Sequence, residues 1–212
     1  MNRLRFLYGF TIYIAITGIV LLLKIPMGHS WLDQWIFNKF YVFQLMSVVT
    51  VGLAMESSRY QHTTCVRMGN RRKILRNELT GYYIQGLICV SILFFFIWLG
   101  AVLLNENRHL FFLFEWYIRY LLGTIVFINI MSCLKWSNHL LLSKYCQIIV
   151  FAWLVLESIV FIPYLKRFSS YKVNLIFSWI FHPGAASFLV LVGFILITLF
   201  LNIKLSDKRD FI

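Results

Sequence analysis

The stretch Cys65-Val-Arg-Met-Gly-Asn-Arg-Arg-Lys-Ile-Leu-Arg-Asn-Glu-Leu79, followed directly by the uncharged run Gly81 to Leu104, decides the fold of this chain. The first part is the densest cluster of charge in the sequence, and the second is long enough to cross a bilayer as a helix. Gly69-Asn70 marks a turn, and from Arg71 onward the residue types favour helix. At helical spacing Ile74, Leu75 and Leu79 face one way, while Arg72, Lys73 and Arg76 face another. The spacing therefore predicts a short basic amphipathic helix at the foot of a membrane span.

Working outward, the same alternation of apolar runs and short charged connections covers the whole chain. It has 212 residues, of which 60% are hydrophobic, 18% aromatic and only 13% charged. That composition is too apolar for a domain with a polar surface. The expected fold is all-α, a polytopic integral membrane protein. Six spans are predicted at about 6–23, 36–55, 81–104, 116–134, 145–164 and 187–203, with residues 56–80 forming a polar loop. The basic start Arg3 and Arg5 followed by an apolar run has the look of a secretory signal. The length of that run and the absence of an A-x-A-like site favour a retained span. Between Lys166 and Ser187 the piece Val173 to Phe181 is too short to cross, so a re-entrant or interfacial helix turned at Pro183-Gly184 is expected before the last span. An even number of spans puts both termini on one side of the membrane.

Charge sets the orientation. The formal net charge of +12 arises from 20 Lys and Arg against 8 Asp and Glu. On a soluble protein that excess would point to nucleic acid, but here the cations flank apolar spans, where they oppose translocation and attract anionic lipid. Thirteen of the 20 fall on the side that holds the termini, among them Arg67, Arg71, Arg72, Lys73, Arg76, Lys135, Lys144, Lys204 and Lys208. That side, with both termini, is expected to be cytoplasmic in a cell membrane.

Two charges lie within apolar spans. Arg119 is near the outer end of the fourth and Glu157 is in the fifth; a pair between them, a substrate or proton role, and a carboxylate reaching water are the readings they allow. His29, His109 and His182 have no ligand spacing among themselves and no cysteine joins them, so no metal site is predicted. Cys65, Cys89, Cys133 and Cys146 fall outside the outer loops and imply no disulfide framework. The chain has no Gly-x-x-x-x-Gly-Lys-Ser/Thr loop to hold nucleotide phosphates and no motif of an intramembrane protease, so it is not read as an enzyme.

A chain of this size with six spans, an Arg-x-Gly-x-Arg-Arg-type loop between the second and third, an aromatic re-entrant region and a short charged tail resembles a permease subunit of the type-2 ATP-binding-cassette exporters. The resemblance implies that residues 56–80 carry a coupling helix. Arg67, Gly69, Arg71, Arg72, Ile74, Leu75 and Glu78 would then touch a separate ATP-binding-cassette ATPase, and ATP and Mg would be bound there rather than by this chain. It further implies a second copy or a paralogous permease subunit as partner. The aromatic residues Phe94, Phe95, Phe96, Trp98, Phe111, Phe112 and Phe114 point to export of an amphipathic or peptide-like substrate. The competing class is a non-transporting membrane component, an immunity, sensor or assembly protein, that binds a cytoplasmic partner through the same basic loop.

Overall fold

The computed structural model describes residues 71–103, 110–146, 148–150, 152–153, 179–180 and 184–208. Among them there is no strand. Four helices carry the description: α1 (Arg71–Leu103), α2 (Leu110–Trp136), the short α3 (Leu140–Lys144) and α4 (Ala185–Lys208). The first, second, fifth and re-entrant predicted segments lie outside the described residues, wholly or for the most part.

The basic segment is not a separate helix. It forms the first turns of α1, which runs without a break for 33 residues. At 1.5 Å per residue that is about 50 Å, well beyond the roughly 30 Å of a hydrocarbon core. Thr80-Gly81 does not break the helix because the residues on either side anchor it: Glu78, Leu79 and Tyr82 are all buried. The division expected on the surface of this segment is present, with Ile74, Leu75 and Leu79 buried and Arg72, Lys73 and Arg76 exposed. The buried set continues through Cys89, Val90, Leu93 and Ile97 to Ala101, a stripe at helical spacing down one side of α1.

The ends of α2 and α4 follow local chemistry. Past Trp136, the Ser137 backbone N–H and hydroxyl both donate to Leu134 O, at 3.3 and 2.8 Å, closing the last turn of α2. Ser143 Oγ donates back to Lys135 O at 2.8 Å and ties α3 to that end. Before α4, Gly184 has φ 122°, a conformation that side chains rarely adopt, and the Ser187 hydroxyl donates to its carbonyl at 2.7 Å. The fourth and sixth predicted spans thus correspond to longer helices, α2 beginning at Leu110 and α4 continuing past Lys204 to Lys208.

α1 packs antiparallel to α2, and α4 packs against both. Contacts of α2 with α4 run from Arg119 with Ser187 through Asn129 with Asn202 to Asn138 with Lys208, so these two helices are parallel. The α1 start, the α2 end and the α4 end share one end of the bundle, and that end is basic.

What α4 buries indicates its solvent. Its buried residues are Ser187, Leu191, Thr198, Asn202 and Ser206, whereas Leu189, Val192, Leu196, Ile197, Phe200, Leu201 and Ile203 are exposed. Leaving seven such side chains in water would forfeit on the order of 10 kcal/mol, comparable to the whole stability of an ordinary domain. The pattern is sensible only where the surroundings are apolar and polar groups must be satisfied within the bundle.

Candidate functional site

The basic end is assembled from three helices. Arg72 forks onto the Asp207 carboxylate, Nε to Oδ1 at 2.9 Å and Nη2 to Oδ2 at 2.8 Å, and Arg71 Nη1 donates to the Asp207 carbonyl at 3.1 Å. The start of α1 is thereby joined to the end of α4. These groups sit on turns that extend past the apolar part of each helix. The hydrogen-bonded guanidinium of Arg72 holds the Asp207 carboxyl below its usual range, and the same carboxylate raises Arg72. Lys73, Arg76, Lys204 and Lys208 are exposed around this joint. Lys204 Nζ lies 4.7 Å from the Phe200 ring centroid, a cation over an aromatic face one turn toward the middle of α4.

Glu78 does not face outward with the cations. It is 5% exposed and its carboxylate is held by α2, Lys135 Nζ to Oε1 at 2.8 Å and Trp136 Nε1 to Oε2 at 3.1 Å. Lys135 also donates to the Tyr82 hydroxyl at 3.1 Å. Of the residues expected to meet a partner, then, Ile74, Leu75 and Glu78 are turned into the bundle, while Arg72 is exposed and Arg71 partly so. Arg67 and Gly69 lie outside the described residues. Lys135, Trp136 and Asp207 were not among the predicted site residues. Their partners are 57, 58 and 135 positions away along the chain, and no local spacing signals such contacts.

At the opposite end Arg119 is fully buried. Its guanidinium donates to Glu115 Oε1 from Nε and Nη2, at 3.0 and 2.7 Å, to Ser187 Oγ at 2.6 Å and to the Gly184 carbonyl at 3.2 Å. The Phe188 ring lies 4.3 Å from its central carbon. One side chain thus pins the turn that opens α4 against α2. Glu157, the partner considered from sequence, lies outside the described residues. Glu115 stands at i−4 on the same helix, a spacing that would have marked it as a partner.

Between the two ends runs a polar seam. Asn129 and Asn202 are both fully buried; the Tyr83 hydroxyl donates to Asn129 Oδ1, and Asn202 Nδ2 donates to Asn129 O and Thr198 O, each at 3.0 Å. Cys133 Sγ donates to Thr198 O at 3.3 Å. The aromatic residues expected to line a path divide. Phe94 is buried edge-on against Tyr117 and Tyr120, whereas Phe95, Trp98 and Phe114 point out of the bundle. Among the described residues no three His, Cys, Asp or Glu side chains gather as a metal would require.

α1, α2 and α4 are each long and apolar enough to cross a membrane, and the described residues form a helical bundle with the composition of a membrane protein. Compared with models of protein families, with curated proteins and with solved structures, the chain matches none.

Proposed function

We propose that this chain is the transmembrane subunit of an ATP-driven exporter, moved by a separate ATPase that docks on the basic end of α1 and α4 from the cytoplasm. The observation that carries this reading is the continuity of α1: exposed Arg72, Lys73 and Arg76 belong to the same uninterrupted helix as the span. Force applied to those side chains passes along one rigid element, and the Glu78 contacts transmit it to α2. The contact made with the ATPase is electrostatic, through the cations that Asp207 leaves exposed, and the apolar ridge of Ile74 and Leu75 stabilises the bundle instead. A second copy or paralogous subunit would complete the path for an amphipathic or peptide-like cargo. Both termini and the basic end lie in the cytoplasm in this scheme, consistent with the excess of Lys and Arg there.

One observation favours a second reading, a non-transporting membrane component that merely binds a cytoplasmic partner. With its apolar ridge inside, the contact face is polar, as in many transient complexes. Reversing charge at Lys73 and Arg76 in the native complex separates the two. Export predicts retained insertion with loss of substrate-linked ATP hydrolysis; unchanged hydrolysis, or purification with no ATPase at all, contradicts it.

A further inference from the structure

At the junction of α1, α2 and α4 two buried polar atoms have no partner: Asn129 Nδ2, a donor, and Asn202 Oδ1, an acceptor. The two residues adjoin, because Asn202 Nδ2 donates at 3.0 Å to the main-chain carbonyl of Asn129. Exchanging oxygen and nitrogen on either amide does not remove the deficit. A turned Asn202 would set its oxygen against two carbonyl acceptors, those of Asn129 and Thr198. A turned Asn129 would offer its NH2 to the Tyr83 hydroxyl and leave its oxygen as the unpartnered atom instead. Buried donors and acceptors are nearly always satisfied, and in an apolar medium a missing bond has no outside substitute.

We infer that Asn129 and Asn202 hold one ordered water molecule between them. A single neutral oxygen that accepts from Asn129 Nδ2 and donates to Asn202 Oδ1 meets both needs, while a bare cation or anion would suit only one of the two groups. Both residues are sealed from solvent, which leaves a lone water favoured over a larger alcohol. Ser206 is one turn beyond Asn202 on α4, and Ser132, whose own hydroxyl is unpartnered, is one turn beyond Asn129 on α2. Nothing in this assignment depends on whether the chain transports anything.

The test uses the full chain in lipid nanodiscs. A density map that shows ordered water should place a peak within hydrogen-bond distance of Asn129 Nδ2 and Asn202 Oδ1. The triple variant Tyr83→Phe/Asn129→Leu/Asn202→Leu removes the whole network at once. If the wild-type network is complete, the variant unfolds several degrees lower; if it is dry, removing the orphans raises the midpoint. A map in which the two amides pair directly with no peak between them, or a variant as stable as the parent or more so, overturns the assignment. Should the variant fail to accumulate, the map decides alone.

Discussion

Glu78 and Lys135 meet at 2.8 Å across α1 and α2, in a pair whose carboxylate side chain is only 4% exposed. The contact lies just inside the basic end and fixes the register of the two longest described helices. Removing one partner leaves the other buried and uncompensated, which costs far more than the pair contributes in total. Lys135→Met is therefore expected to destabilise the bundle by about 3 kcal/mol. The double variant Glu78→Leu/Lys135→Leu should recover most of that loss, as followed by thermal unfolding in detergent. A double variant no better than the single would show that the pair is not the origin of the effect.

Arg119 makes a different kind of junction, since its hydrogen bonds reach both its own helix and the turn before α4. Arg119→Lys keeps the charge but loses the planar fork, and a cost of roughly 1.5–3 kcal/mol is expected from the charged hydrogen bonds forfeited. Glu115→Gln should cost less, because the carboxylate is 39% exposed and partly solvated. Proteolysis at the α4 start should increase in the Arg119 variant before global unfolding is seen.

The Arg72 and Asp207 joint carries a pH dependence of known sign. A carboxyl depressed in the folded state contributes above its unfolded value, about 3.9, and loses that contribution as pH falls through the lower folded value. Spin labels introduced by Lys73→Cys and Lys204→Cys should keep one narrow distance distribution from neutral pH to about pH 5, and broaden only below the ordinary carboxylate range. Asp207→Asn should give the broad distribution throughout. A transition near neutral pH would assign the joint to other groups.

Brominated lipid tests the outer face of α4. With tryptophan placed by Leu196→Trp, fluorescence should be quenched strongly by bromine in the acyl chains, because that side chain is 62% exposed. Trp136, 3% exposed in the core, should be shielded in comparison. Equal quenching at both positions would contradict the orientation of α4.

Much of this arrangement was legible in order of residues. The apolar runs from Gly81, Trp116 and Ser187 form helices in lipid because each backbone bond is then made within the run, and the spacing of Ile74, Leu75 and Leu79 (i, i+1, i+5) separates the buried from the charged side of α1. Where the helices end was less legible. Hydropathy marks where charge begins, but a helix extends as long as its backbone bonds and tertiary anchors hold, so the basic helix expected from Arg71 and the span after it form one element, α1, and α4 runs on to Lys208. The burial of Glu78 is not legible from its charged neighbours, because the cation and indole that receive it lie on another helix. Asn129 and Asn202 drew no notice among apolar neighbours, although isolated amides in a span are costly enough to be meaningful.

The most direct measurement is the sidedness of the bundle. In a background with the native cysteines replaced, Lys73→Cys at the basic end and Glu115→Cys beside the opposite end are labelled separately with a membrane-impermeant maleimide, in intact cells and in inverted vesicles. Position 73 should react only in inverted vesicles and position 115 only in intact cells. Reaction of both from the same face, or of position 73 from outside, would contradict it.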